Sequence, residues 1–185
     1  QDMHDEVGAR LTEIGILSEL AKKDIEDPTK AEMHVQKISQ ASREVIANIS
    51  EIIWAMNSRN DLLDDLVAYL REYTSKYLGT TAIKCTFEIP DVVLTLHLST
   101  EARRNIFLVV KETLHNIVKH SGATDVQMRI LFLSQNIEID IEDNGRGFNT
   151  EQPSRFGNGL RNMEKRMKDV GGTFEISSKP GQGTR

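Results

Sequence analysis

The sequence predicts an α+β protein in two parts: a helical hairpin over residues 1–58, then a layer of helices on one face of a sheet over residues 59–185. Three observations lead there. Two long stretches near the start carry apolar residues at alternating steps of four and three, the spacing of one helix face. Further on, "VQMRILFL" and "NIEIDIE" alternate strictly between apolar and polar residues and are joined by the short turn "SQN", as in a half-buried antiparallel hairpin. Helical patterns lie before and after those strands, so the second part mixes both kinds of element.

The first helix is expected from Met3 to about Glu26, with Val7, Leu11, Ile14, Ser18, Ala21 and Ile25 as its seam. Ile16, Leu17 and Leu20 widen that seam. Pro28 breaks the pattern, and Thr29 with Glu32 has the spacing of a capping box for the next helix. That helix, about Lys30–Asn57, repeats the seam with Val35, Ile38, Ser42, Val45, Ile49, Ile52 and Met56, while Ile46, Ile53 and Trp54 add a second apolar edge. A short link between two long amphipathic helices predicts an antiparallel hairpin. Two helices cannot enclose faces this broad. The expected state is therefore a homodimer in which two hairpins make a four-helix bundle.

"NSRND", Asn57–Asp61, is the expected linker, with Asn60 or Asp61 available to cap a helix over Leu62–Leu78. "AIKCTFEI" reads as a strand, and Ser99 or Thr100 caps a long helix running to His120. A helix from about Gly159 to Val170 ends at Gly171–Gly172, and "TFEISS" reads as a further strand. No internal repeat or low-complexity stretch interrupts the pattern.

Bulk properties exclude some functions. A net charge of −5 and a pI near 5.6 argue against a nucleic-acid partner, which requires a basic face. Cys85 is the only cysteine, so no internal disulfide can form, which fits a reducing compartment. No apolar run spans a bilayer. The chain opens on "QDMHDE", already helical in pattern, and stops at "GQGTR" inside an apparent hairpin. It reads as a fragment of a longer protein, its final strand cut short.

Chemistry concentrates in four phrases. In "KETLHNIVKHSGA", Glu112, Asn116 and either Lys119 or His120 fall three and four residues apart, hence on one helix face. Ile106, Val110, Thr113, Leu114 and Ile117 supply the buried side. Magnesium takes oxygen ligands and few protein groups. Asn116 can offer its amide oxygen, Glu112 can hold a metal-bound water, and Lys119 can meet phosphate charge. "IEDNGRGF" follows a strand: Asp143 can accept from the exocyclic amine of adenine, while Gly145 and Gly147 let the backbone come close. In "SRFGNGLRNM", Gly157 and Gly159 precede a helix whose first turn, with Leu160, presents free N–H groups to phosphates. "KPGQGTR" adds Gly181, Gly183 and Thr184 in a turn. Taken singly, each is equally an ordinary turn or a solvated helix face.

Together, in this order, the four phrases resemble the N box and successive glycine boxes of the ATP-binding fold shared by histidine kinases, gyrase-type topoisomerases, Hsp90 chaperones and mismatch-repair ATPases. The resemblance implies an α/β sandwich with a mixed sheet. ATP would lie between the Asn116 helix and a short lid, roughly Phe148–Asn158. "MHDEVGARLTEIGILSELA" and "SREVIANISEIIWAMN" resemble the dimerisation and phosphoacceptor helices of the nitrate-sensor type of bacterial histidine kinase, so the likeness runs along the whole chain.

That resemblance implies His4 as phosphoacceptor, with the neighbouring Asp5 as general base. It implies a response-regulator receiver domain with a helix-turn-helix output as partner. It also implies a cytoplasmic location for this fragment and an inner-membrane one for a longer parent. In this subfamily a glutamine commonly stands five residues after the phosphoacceptor; here that position is Ala9, which cannot orient a water, so strong phosphatase activity is not expected unless Arg10 or a group on the second helix substitutes. His4 also falls in phase with the Val7–Leu11 seam, where a histidine can simply pack. His34, His97 and His115 read as surface or structural residues, and His120 either lines the phosphate region or ends its helix. Two other readings remain: a protein serine kinase of the anti-sigma-factor type with the same ATP site, and a nucleotide-binding dimeric scaffold without transfer.

Overall fold

The structure, a computed structural model, describes residues 2–56, 62–90, 96–133, 136–150 and 159–185. Within these, it describes the backbone alone of residues 2–6, 47, 48, 51, 52, 55 and 56. The chain divides into two compact units, Gln1–Met56 and Asn57–Arg185.

The first unit is a hairpin of α1 (Asp2–Lys23) and α2 (Pro28–Met56). The start of α2 corrects the expected Thr29–Glu32 capping box. Asp27 is the cap: its carboxylate accepts the Lys30 N–H at 3.2 Å and its carbonyl accepts that of Ala31 at 3.0 Å. The reason lies in Pro28, which has no N–H to satisfy and suits the first helical position, so the capping role falls one residue earlier. His34 is 8% exposed, and its Nε2 lies 3.1 Å from the Asp24 carboxylate, fastening the start of α2 to the end of α1. Of the two readings for this histidine, the structural one holds. Leu17, Ala41 and Val45 are buried in the hairpin, while Leu11, Ile25, Ile46 and Ile53 are 55%, 73%, 64% and 63% exposed. The single hairpin thus buries only part of its apolar surface.

The second unit runs α3 (Leu63–Leu78), β1 (Lys84–Glu88), α4 (Thr100–Asn116), β2 (Asp125–Phe132), β3 (Ile137–Asp143) and α5 (Gly159–Asp169). The sheet is mixed, in the order β1-β2-β3. β1 pairs parallel with β2, Lys84 opposite Asp125, because α4 carries the chain back between them. β2 and β3 form the expected antiparallel hairpin, with Val126 opposite Asp143 and Phe132 opposite Ile137. Val126, Met128 and Ile130 on one face of β2 are buried, as are Leu63, Leu66 and Leu70 of α3 and Ile106, Phe107, Val110 and Leu114 of α4. On the other face, Arg129 bridges Glu88 at 2.7 Å and Asp140 at 3.5 Å, tying the three strands together.

Ser99 caps α4, its hydroxyl accepting the Ala102 N–H at 3.1 Å. Leu62 holds the N-cap position of α3 without a side-chain cap; Asn60 and Asp61 lie outside the described residues. One further expectation is corrected. The α4 helix does not stay α-helical to His120: it changes after Asn116 to a π-turn, Ile117–Ser121, which stops at Gly122 with φ +66°. There the Ser121 hydroxyl donates to the Ile117 carbonyl at 2.8 Å and accepts the Ala123 N–H at 2.9 Å, drawing the chain off the helix axis. Among the described residues, "TFEISS" carries no ladder beyond the Ser177–Arg185 pair, with Ser178 bridging to Thr184.

Candidate nucleotide site

Asp143 ends β3 and is 4% exposed. Its backbone exchanges hydrogen bonds with Thr184, at 2.9 and 3.2 Å, and its Oδ1 accepts the Gly145 N–H at 2.8 Å. Burial pushes its carboxyl above the usual aspartate range, partly offset by hydrogen bonds from Gly145 and Thr184. The side chain is an acceptor largely withdrawn from water.

The turn that follows is closed against the end of the π-turn. The Arg146 N–H donates to the Ser121 carbonyl at 2.9 Å, and a Cβ on Gly145 would lie 2.5 Å from that same oxygen. No side chain fits at 145. Gly147 has φ +57°, and a Cβ there would run into the Lys179 carbonyl. Asn144 pins the turn from the other side. Its amide oxygen accepts the N–H groups of Thr124 and Asp125 at 2.9 and 3.0 Å, and its amide nitrogen donates to their side chains at 3.0 Å each. Ser178, 8% exposed, accepts the Phe148 N–H at 2.9 Å and reaches both the Gly183 carbonyl and the Thr184 hydroxyl. It ties the start of the expected lid to the C-terminal turn.

Glu112 and Asn116 occupy one part-buried face near the end of α4, while Lys119 and His120 stand exposed on the π-turn. Glu112 lies against the head of α5, where a Cβ on Gly159 would be 2.7 Å from its carboxylate oxygen. The Thr113 hydroxyl donates to the Met163 sulfur at 3.6 Å, joining the same two helices. Gly159 is itself the first residue of α5 rather than the residue before it, and Leu160 sits half-buried in the first turn. Gly157, with most of the expected lid, lies outside the described residues. His4 and Asp5 fall within α1, and their side chains lie outside the described structure. Asp143, Gly145, Gly147 and Thr184 thus meet in one turn, and that turn is bonded to the segment carrying Lys119 and His120.

Comparison with known proteins agrees with both halves. Residues 1–62 match a family model described as histidine kinase, and residues 101–185 match one described as histidine kinase-, DNA gyrase B-, and HSP90-like ATPase. The chain belongs to the nitrate-sensor-type histidine kinases. It is 26% identical over 191 residues to the sensor protein VraS of Staphylococcus epidermidis, covering 100% of this chain and 52% of that protein. It is 26% identical over 190 residues to the sensor histidine kinase LiaS of Bacillus subtilis, covering 100% of this chain and 51% of that protein. The chain therefore spans about half the length of these relatives. Among solved structures, it resembles the histidine kinase domain of the Erythrobacter litoralis EL346 blue-light activated histidine kinase, with a TM-score of 0.60, 21% identity, and coverage of 96% of this chain and 91% of that one. The Acinetobacter baumannii histidine kinase AdeS gives a TM-score of 0.57 at 18% identity, covering 94% of this chain and 92% of that one.

The ATPase family matched by residues 101–185 implies ATP as the nucleotide. The residues fit such a group: a buried carboxylate that can accept from an amine, a turn with no room for Cβ atoms, and a polar helix face beside the head of another helix. Sequence reasoning missed Asn144 and Ser178 as builders of that turn. The "DNG" phrase signals a turn, yet nothing local points Asn144 at Thr124 and Asp125. No helix among the described residues is long and apolar enough to cross a membrane.

Proposed function

We propose that this chain is the catalytic core of a two-component sensor histidine kinase. In this reading it phosphorylates His4 from ATP and passes the phosphoryl group to an aspartate of a response-regulator receiver domain. The observation that carries the reading is the bonding of the Asp143–Gly147 turn to Ser121, at the end of the segment that bears Asn116, Lys119 and His120. Two segments joined by that bond can thereby serve both ends of a nucleotide. Asp143 would accept from the purine amine, and Asn116 and Glu112 would hold Mg²⁺ at the phosphates. Lys119, the Gly159–Leu160 N–H groups and, beyond the described residues, Gly157 meet phosphate charge. ATP and Mg²⁺ supply the transferable phosphoryl and its charge neutralisation; the protein contributes position.

The imidazole of His4 is nucleophilic when neutral, and Asp5 takes the proton from the ring as the other nitrogen attacks the phosphorus. The hairpin is proposed to act as a homodimer. Exposed Leu11, Ile16, Val35, Ile46, Ile49 and Ile53 support that, since apolar surface on this scale marks an interface. Residues 1–58 form the dimerising domain and 59–185 the ATP-binding domain, the boundary falling inside the 57–61 linker.

Incubation with γ-labelled ATP tests the reading. Wild type should acquire an acid-labile, base-stable label, while His4→Gln and Asn116→Asp acquire none. An acid-stable label would instead support the serine-kinase alternative, and labelling of His4→Gln equal to wild type would remove His4 from the chemistry.

A further inference from the structure

One buried hydroxyl joins the two glycine-bearing segments that flank Asp143. Ser178, 8% exposed, accepts the Phe148 N–H at 2.9 Å, donates to the Gly183 carbonyl at 2.8 Å and stands 3.0 Å from the Thr184 hydroxyl. A serine hydroxyl offers one donor and two acceptor positions, so its capacity is filled. Two of these partners border Asp143. Thr184 exchanges backbone hydrogen bonds with it at 2.9 and 3.2 Å, and a Cβ on Gly183 would run into the Asp143 carbonyl. The third partner, Phe148, follows Gly147 on the other side of the turn. A second tie joins the same two segments, the Gly181 N–H donating to the Arg146 carbonyl at 2.6 Å. Of the two ties, the one through Ser178 depends on a side chain. The nucleotide chemistry above does not use it.

We propose that Ser178 is a positioning residue for the purine end of the site, one that sets its preference for a 6-amino over a 6-oxo purine. This rests on the reading of Asp143 as the acceptor of the purine amine. An ionised carboxylate can only accept. Facing an amine it gains a hydrogen bond; facing a carbonyl oxygen it opposes a second acceptor, and the base is rejected. That rejection lasts only while the backbone carrying Asp143 cannot yield. A small retreat would admit a water that donates to both oxygens and removes the penalty. The Ser178 hydroxyl blocks the retreat, because it holds Gly183 and Thr184, which border Asp143, to Phe148 across the glycine turn. Ser178 acts through these neighbours and at the base, so its effect falls on binding and selectivity rather than on the transfer step.

The test uses the 185-residue chain with γ-labelled ATP and γ-labelled ITP, whose base carries an oxygen where adenine carries the amine. Ser178→Ala deletes the hydroxyl and leaves the Arg146–Gly181 tie in place. It should raise the KM for ATP about tenfold while the labelling rate at saturating ATP stays within about twofold. It should also cut the ATP-over-ITP ratio of kcat/KM about fivefold. Unfolding alone would lower the labelled amplitude for both nucleotides and leave that ratio unmoved. Ser178→Cys keeps a small side chain with a weaker hydrogen-bonding group; it should shift the ratio the same way by less, and it decides the matter if the alanine variant does not fold. In an Asp143→Asn background, Ser178→Ala should no longer change the ratio. An unchanged ratio in the Ser178 variants would overturn the proposal, as would a loss carried by the rate at saturation or an undiminished effect in the Asp143→Asn background. Asp143→Asn by itself separates this from the reading beneath it. If it binds ATP like wild type with the same ratio, the purine-end reading falls and takes this proposal with it. A silent Ser178→Ala beside an Asp143→Asn that has lost its preference for ATP removes the role of Ser178 alone.

Discussion

Glu112 of α4 and Gly159 of α5 touch: a methyl group on Gly159 would sit 2.7 Å from the Glu112 Oε1. The contact sets a side chain proposed to act on phosphate directly at the head of a helix whose free N–H groups favour negative charge.

Gly159→Ala separates space from fold. Gly159 is the first residue of α5, where the interior preference for alanine applies only in part, and the clashing atom is the end of a movable side chain, so Tm should hold. The displaced Glu112 should lower the labelling rate about tenfold. Thermal melting and single-turnover labelling of the same preparation check both halves; a variant that labels like wild type would show that the close contact has no catalytic consequence.

Asp143 sets stability against binding. Burial raises its folded pKa above the unfolded one. Its favourable contribution to stability is therefore fully present below the ordinary aspartate value, about 3.9, and is lost as pH rises through the raised folded value. At neutral pH the buried charge is a liability. Asp143→Asn, which keeps an oxygen for the Gly145 N–H, should unfold at higher denaturant than wild type at pH 7, with the difference closing below pH ~4. The same variant should lose ATP affinity, because the amide presents an N–H₂ donor where the purine amine needs an acceptor. Paired denaturation and nucleotide titrations across pH measure the trade.

Asn144 makes four hydrogen bonds to Thr124 and Asp125 across the turn. Asn144→Ala should cost about 1–2 kcal/mol of stability in the second unit, since the pinned groups are exposed and water replaces part of the loss. Hydrogen exchange should quicken at Gly145 and Arg146. Unchanged exchange at those two amides would mean that the Asp143–Gly145 and Arg146–Ser121 bonds hold the turn without Asn144.

Ala9 is exposed, and Arg10, the nearest polar substitute for the missing glutamine, is already held by Glu13 at 2.7 Å and Glu44 at 3.1 Å. The chain should therefore dephosphorylate a phosphorylated receiver domain poorly, and Ala9→Gln should raise that rate about tenfold by orienting water. Release of phosphate from the labelled receiver, followed with and without the substitution, decides the matter.

The sequence by itself determined the elements and the four chemical phrases, because both depend on near neighbours. Val126, Met128 and Ile130 alternate, and they form the buried face of β2. Glu112 and Asn116 are four residues apart, and one helix face follows. The same local logic failed where a choice depended on a neighbour's missing group. Pro28 moved the cap to Asp27. Only the tertiary structure decided the parallel pairing of β1 with β2, the change from α-helix to π-turn after Asn116, and the closure of the Asp143 turn on Ser121. Those features join groups far apart in the chain, where sequence periodicity carries no signal and geometry exists only once the core has brought the backbone together.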